Sequence, residues 1–364
     1  MAEIGKLNKE HPLYQEELRN ILNVKGVESL NGKSFLITGA TGMIGTCMID
    51  ALMQANREGA NITIYAVGRS REKATSRLGE YYTDKHFHFI EQDVRCAFPE
   101  DIKIDYIIPL ASNTHPLAYS QYPIETIDIN VKGAEFALQK SFECGATVLY
   151  PSTVEVYGNA RGEDVFTEDY TGQLNISTAR ACYTESKRVS EALCQSYIAE
   201  KGAKVKIVRL SRVFGPTMLM SDTKASSQFI QKALDGEDIV LKSEGKQLFS
   251  YTYVADAVSA MLYVLVHGEN GVAYNISNEL CDVRLKDFAK LCAEWAKKNV
   301  VFDLPSEVER KGFSIATKAV LDNRKLKSLG WTAFYDMKNA VNRTLDIMFQ
   351  NDARSTLVDK VQRS

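Results

Sequence analysis

Ser34-Phe35-Leu36-Ile37-Thr38-Gly39-Ala40-Thr41-Gly42-Met43-Ile44-Gly45 decides the fold of this chain. Its first five residues read as a buried strand. A turn with glycines at 39, 42 and 45 follows at once, and from about Met43 to Asn56 the apolar positions fall at helical spacing. A strand feeding a helix through G-x-x-G-x-x-G has a physical use. The chain turns sharply, backbone N–H groups come close to a pyrophosphate, and the helix packs tightly on the strand. The spacing is not the G-x-G-x-x-G of most dehydrogenases, but the requirement is the same. Gly39, Thr41, Gly42, Met43, Ile44 and Gly45 are therefore the candidate cofactor turn. A bare structural turn is the plainer alternative, and the βαβ context weighs against it.

Outward from this turn, strands are expected at Ile62–Val67, His86–Glu91, Tyr106–Leu110, Thr147–Pro151 and Val205–Leu210. Helices are expected at Pro123–Glu143 and Ala181–Lys201. Apolar strands alternating with amphipathic helices imply an α/β fold, a Rossmann-type doubly wound parallel sheet with helices on both faces. Beyond Gly215-Pro216 the pattern loosens into short elements, which predicts a smaller, mixed α/β substrate-binding lobe. The expected organisation is a helical extension over 1–30, with its amphipathic helix at 12–29. It covers the cofactor or adds to a dimer contact. An NAD(P)-binding domain spans 31–210, to which a strand and helix at 250–270 return, and the lobe is built from 211–249 and 271–364. No Pro/Ser-rich linker separates the two, so a cleft should lie between them, beyond the carboxyl ends of the strands.

Composition narrows the partners. The chain has 364 residues, 45% of them apolar and 25% charged, with a net charge of −2. That balance gives no field for gathering nucleic acid or an anionic membrane. No apolar run reaches the ~18–20 residues that cross a bilayer, and Met1–Tyr14 lacks the apolar core of a signal peptide. A cytoplasmic protein is the expectation. The 7 cysteines include no C-x-x-C pair and read as reduced thiols. The histidines, at 11, 86, 88, 115 and 267, lack ligand-spaced partners, so no metal site is expected.

The segment ending the second strand, Val67-Gly68-Arg69-Ser70-Arg71, holds no acidic residue for a ribose hydroxyl. Arg69 can meet a 2′-phosphate, which keeps NADP open beside NAD; it can also stack on adenine or be a solvated charge. Asp93 is placed to bond the adenine amine, or to cap a turn. Val94 beside it, and Leu110, Ala111 and Ser112 ending the next strand, complete the candidate cofactor set.

Tyr183-Thr184-Glu185-Ser186-Lys187 is Y-x-x-x-K. On a helix this puts phenol and ammonium on one face, near the nicotinamide ribose. The cation favours phenolate, so Tyr183 can take a proton from a hydroxyl as hydride leaves the same carbon. Tyr183 and Lys187 therefore count in both the cofactor and the catalytic sets. Tyr150-Pro151-Ser152-Thr153-Val154-Glu155-Val156-Tyr157-Gly158 ends a strand at the cleft. Thr153 can hydrogen-bond the reacting oxygen. Glu155 suits chemistry beside a transient ketone, where simple redox epimerisation needs no carboxylate. Its plainer reading is a solvated charge at a strand end.

These residues resemble the extended short-chain dehydrogenase/reductase superfamily over about 32–335. Within it the chain is most similar to the UDP-glucuronate decarboxylases (UDP-xylose synthases). The likeness is densest in Leu110-Ala111-Ser112, Pro123-Ile124-Glu125-Thr126 with Asn130 and Gly133, Ser152–Gly158, Glu168-Asp169-Tyr170 and Arg180–Arg188. It continues through Phe214-Gly215-Pro216 and 245–256. The resemblance implies that Thr153, Glu155, Tyr183 and Lys187 are catalytic, and that Asn130 bends its helix and holds a water. It implies bound NAD and a nucleotide-sugar substrate. Hydride leaves C4, the resulting β-keto acid loses CO2 with Glu155 assisting, and the hydride returns. It also implies a homodimer built on the helices that carry Asn130 and Tyr183.

Three departures bear on the substrate. Val154 stands where dTDP-glucose-type 4,6-dehydratases carry Asp, although GDP-mannose-type dehydratases lack that Asp too. Phe249 stands where the family has Arg, which removes an anion contact. Arg212 replaces the Asn before Phe-Gly-Pro, and Arg212 with Lys224 is expected to restore that contact. A 4,6-dehydratase, a 4-epimerase or ketoreductase, and a non-catalytic NAD(P) sensor are the alternatives. The retained Thr153, Tyr183 and Lys187 speak against the sensor.

Overall fold

The computed structural model describes residues 7–114, 116–160, 164–303 and 317–349. After helix α1 (Pro12–Leu22) the chain enters β1 (Ser34–Thr38), α2 (Met43–Arg57), β2 (Thr63–Gly68), α3 (Arg71–Leu78), β3 (Phe87–Glu91) and β4 (Tyr106–Pro109). It continues through α4 (Pro116–Gln121), α5 (Pro123–Cys144), β5 (Thr147–Thr153), α6 (Ala181–Lys201) and β6 (Lys204–Leu210). Every residue of β1 is buried, as a central strand covered on both faces requires. The second half supplies β7 (Arg212–Phe214), α7 (Ala225–Leu234), β8 (Ile239–Leu241), β9 (Leu248–Tyr253), α8 (Val254–His267) and β10 (Ala273–Ile276). Last come β11 (Asp282–Arg284), α9 (Leu285–Ala296), β12 (Val300–Phe302), β13 (Lys318–Ala319), α10 (Arg324–Leu329) and α11 (Met337–Met348).

The main sheet has seven strands in the order β10-β6-β5-β4-β1-β2-β3, and every pairing in it is parallel. The chain winds one way from β1 through β2 to β3 and the other way from β4 outward. The winding reverses between β1 and β4, where an open α/β sheet leaves a crevice at its carboxyl edge.

The second half differs from expectation in two places. The strand leading into α8 does not rejoin the main sheet. β9 is the centre of a small sheet ordered β11-β9-β13, with β7 pairing on β9. The main sheet is instead completed by β10, which the sequence allots to the lobe. β10 has only four residues, too few to show a period. It is drawn to β6 by the turn before it, where Asn270 Oδ1 accepts from Val205 N at 2.6 Å and Gly271 N donates to Val205 O at 2.7 Å. α8 does pack on the sheet, and all its residues from Val254 to Leu265 are buried.

The helix expected over 12–29 stops at Leu22. Asn23 caps it, and Gly26 turns the chain at φ +86 before a short 3-10 turn at Val27–Leu30. α1 lies against α2 and α8. Tyr14, Leu18 and Ile21 are buried there. Tyr14 Oη donates to Asp50 Oδ2 at 2.6 Å, and Tyr253 Oη donates to Glu17 Oε1 at 2.7 Å.

Asp256, in the first turn of α8, is fully buried and accepts from the Phe334 and Tyr335 amides at 2.8 and 3.4 Å. Burial pushes its carboxyl up to about 7. The folded chain therefore keeps a proton, between the ordinary aspartate value and about 7, that the unfolded chain releases. Each step up in pH through that window costs stability. The apparent Tm should rise as pH falls from about 8 to about 6, and Asp256→Asn should flatten that slope in a pH series of thermal melts.

Candidate active site

The cofactor turn is built by close backbone approach. Gly39 sits at φ +62, and a Cβ there would lie 2.8 Å from Ala111 N, at the end of β4. A Cβ on Gly45 would lie 2.5 Å from Gly39 O. Side chains at these positions would fill the cradle, so the glycines are a steric necessity. Gly42 caps α2 without a side-chain hydrogen bond, which leaves the first-turn amides, those of Met43 and Ile44 included, facing the turn. Ala111 N donates to Thr38 Oγ1 at 3.1 Å and so fixes the distance between β1 and β4. Beneath lies a small hollow whose lining includes Thr38, Val94, Ala111, Asn130, Tyr150 and Lys187. The glycine turn and the open helix terminus fit the pyrophosphate of a dinucleotide.

Two candidates in the cofactor set are otherwise engaged. Arg69 pairs with Glu125 of α5 at 2.6 Å. Asp93 takes the backbone N and Nε of Arg95 on Oδ1, both at 2.9 Å, and Arg95 Nη2 on Oδ2 at 2.7 Å. These bonds hold its carboxyl down at about 2, so in this structure Asp93 caps its own turn. Val94 is buried and lies beside Gly133 of α5.

Thr153 ends β5, and Glu155 N donates to its Oγ1 at 3.3 Å across the following 3-10 turn. Thr153 also hydrogen-bonds the phenol of Tyr183, which opposes the larger effect of burial; burial pushes that phenol up to about 12. Lys187 Nζ donates to Pro151 O at 2.9 Å, and burial lowers its ammonium to about 8. It still carries its proton for the most part at neutral pH. The strand end and one face of α6 thus bring Thr153, Tyr183 and Lys187 together.

Asn130 locks this face in place. Its Oδ1 accepts from Ser112 Oγ at 2.7 Å, its Nδ2 donates to Ser186 Oγ at 2.9 Å, and its carbonyl accepts from Ser190 Oγ at 3.0 Å. The strand-end loop and the α5 and α6 helices meet on one amide. The turn carrying Glu155 is held from the other side. Arg188 donates to Val156 O at 2.7 Å, and Tyr157 Oη is bonded by Arg209, itself paired to Glu191 at 2.7 Å.

Of the substrate candidates, Arg212 projects from β7, its guanidinium 3.7 Å from the centre of the Phe249 ring and its Nη2 3.8 Å from Glu155 Oε1. Arg212 Nη1 is buried without a hydrogen-bond partner. Phe249 is buried, a platform for the guanidinium more than a contact surface. Lys224 turns away to Asp222, at 2.7 Å. Tyr119 of α4 escapes the sequence reading altogether. Its ring stacks on Tyr183 with centroids 5.0 Å apart, and no motif marks it. Among the described residues no cluster of His, Cys, Asp or Glu could hold a metal, and no helix is long and apolar enough to cross a membrane.

Gly45→Ala puts a methyl into the Gly39 carbonyl. The expected result is a folded protein, by circular dichroism, whose NAD affinity in calorimetry falls at least about tenfold, a loss of roughly 1.4 kcal/mol.

A model of the NAD dependent epimerase/dehydratase family matches residues 35–277. The chain is 30% identical over 323 residues to UDP-glucuronic acid decarboxylase 1 of Xenopus tropicalis, which covers 88% of this chain and 73% of that protein. It is 33% identical over 243 residues to UDP-glucuronic acid decarboxylase 6 of Arabidopsis thaliana, covering 67% of this chain and 68% of that one. The fold matches the UDP-glucuronic acid 4-epimerase of Bacillus cereus with a TM-score of 0.73 at 18% identity, over 86% of this chain and 98% of that one. With the glycine cradle, the seven-stranded sheet and these relatives in hand, the chain belongs to the NAD dependent epimerase/dehydratase family.

Proposed function

We propose that this protein decarboxylates a nucleotide-activated uronate of the UDP-glucuronate kind through a 4-keto intermediate, and returns a pentose nucleotide. The observation that carries the reading is the pairing of Glu155 with Arg212 beside the Thr153, Tyr183 and Lys187 group. A redox site that only inverts C4 needs no carboxylate there. The likeness to UDP-glucuronic acid decarboxylases points the same way.

In this reading Tyr183, as phenolate, takes the proton of the C4 hydroxyl while Thr153 Oγ1 holds that oxygen. The Lys187 ammonium favours the phenolate by its charge. NAD, held by the 39–45 turn, supplies a hydride acceptor at C4 and later the donor. The C4 ketone lies β to the carboxylate, so CO2 leaves with its bonding electrons moving toward the C4 oxygen. A proton from solvent, delivered with the help of Glu155, replaces CO2 on the neighbouring carbon and restores the C4 ketone, and Tyr183 then returns its proton to the C4 oxygen as C4 is reduced. Arg212, whose buried Nη1 has no hydrogen-bond partner, supplies the anion contact that Phe249 cannot. Lys224 reaches substrate only by leaving Asp222. Asp93 meets adenine in addition to capping its turn, Leu110, Ala111 and Ser112 border the nicotinamide side, and NAD is favoured over NADP because Glu125 already answers Arg69.

We further infer a homodimer through α5 and α6. Ile124, Ile127 and Phe142 of α5 and Val189 of α6 are 77%, 43%, 55% and 50% exposed, an apolar surface that a second copy would cover. A cytoplasmic setting accords with the free thiols of all seven cysteines.

Mass spectrometry of the protein incubated with UDP-glucuronate should show loss of about 44 mass units from the substrate and no net change in NAD, as redox that cancels within one turnover requires. Tyr183→Phe should lower the rate by about 10²–10⁴. Loss of 18 units from a hexose nucleotide, or inversion without mass change, would replace the reading with a dehydratase or an epimerase. Arg212→Ala should weaken UDP-glucuronate binding by roughly tenfold or more, as loss of a charge-assisted hydrogen bond does. Unchanged affinity in calorimetry would remove Arg212 from the substrate site.

A further inference from the structure

The aromatic cover on Tyr183 has no part in the chemistry above. Tyr119 sits on α4, and its ring lies nearly parallel to that of Tyr183, with an interplanar angle of 24°. α4 is joined to the catalytic helix directly, since Cys182 Sγ contacts Tyr119 O at 3.9 Å. Tyr183 itself is 9% exposed. Thr153 and Glu155, at the end of β5, act on its phenol, and the phenol in turn acts on Tyr150 of β5 and Tyr119 of α4, while Lys187 lies one turn along its own helix. Arg180 and Asp222 act in turn on Tyr119. Tyr119 is the aromatic ring stacked on that of Tyr183 among the described residues.

We propose that Tyr119 is a positioning residue for Tyr183: its ring shields the phenol from water and holds it in the orientation that faces Thr153. The work is done by the aromatic plane, because a parallel ring fills the space a bulk-water layer would otherwise occupy. A phenol kept dry resists ionisation until a cation or a hydrogen-bonding substrate reaches it. Such a cover ties proton transfer to an occupied site, since a phenolate formed in the empty cleft would be quenched by solvent. The role in turnover rests on the decarboxylase reading above; the effect on the phenol does not.

The test is therefore a titration that needs no substrate. Protein labelled with ¹³Cζ-tyrosine is followed by NMR against pH, and the Tyr183 resonance is the one missing from Tyr183→Phe. In Tyr119→Ala its midpoint should fall by about one pH unit or more, whereas Tyr119→Phe should titrate like the unaltered protein. Tyr119→Leu keeps an apolar cover and guards against misfolding of the alanine variant; it should fall between the two. With UDP-glucuronate, Tyr119→Ala should lower kcat by about tenfold and move the acid limb of the rate profile to lower pH, with Tyr119→Phe restoring both. An unchanged Tyr183 midpoint in Tyr119→Ala and Tyr119→Leu overturns the proposal. Absence of turnover in the unaltered protein counts against the decarboxylase reading instead, and leaves the titration to decide the role of Tyr119.

Discussion

Everything around the cleft is set by how closely two strand ends meet. Gly39 leaves β1 at a positive φ, against Ala111 at the end of β4, in a space where a side chain would strike backbone. The same closeness lets Thr38 Oγ1 reach the Ala111 amide and points α2 at the crevice. Backbone collisions are stiff because neither partner can rotate away, as a side chain can. The glycine turn therefore acts as a gauge. It fixes the separation of β1 and β4 at the point where the winding of the sheet reverses, and the cavity below inherits its width.

The catalytic side is held by a different means. No glycine sets the position of Tyr183; a polar hub does. Asn130 is 3% exposed and bonds Ser112 on one side and Ser186 on the other. A buried amide with its bonds made is rigid, and losing one leaves an orphan in a dry place. So the cofactor half of the site rests on sterics and the catalytic half on hydrogen bonds. Arg209 extends the second scheme to the far side of the Glu155 turn, through Glu191 and Tyr157.

The parts legible in the sequence were those with a local signature. β1, α2 and α6 follow from apolar spacing and glycine position, and α6 runs over the residues expected of it, Ala181–Lys201. Y-x-x-x-K and the strand end at Thr153 were readable for the same reason. What stayed hidden depends on contacts between distant segments. β10 is too short to show a period and joins β6 only because Asn270 and Gly271 pin its turn. The engagement of Asp93 by Arg95 lies within a two-residue step, yet the choice between cap and ligand cannot be read from residue type. Arg212 over Phe249 joins neighbouring strands β7 and β9 that no pattern links. Tyr119 sits on a six-residue helix with no periodicity to reveal which way it faces.

The packing of α1 has a consequence for the order in which the molecule is made. Glu17 accepts from Tyr253 and from Arg343 Nε, the latter 326 positions further along the chain. A ribosome adding about 5–20 residues per second delivers that arginine roughly 16–65 s after the glutamate. Until then α1 lacks the cation that meets its buried carboxyl. α1 can thus pack on α2 early, with Tyr14 bonded to Asp50, but its contacts are complete only once α11 has been made.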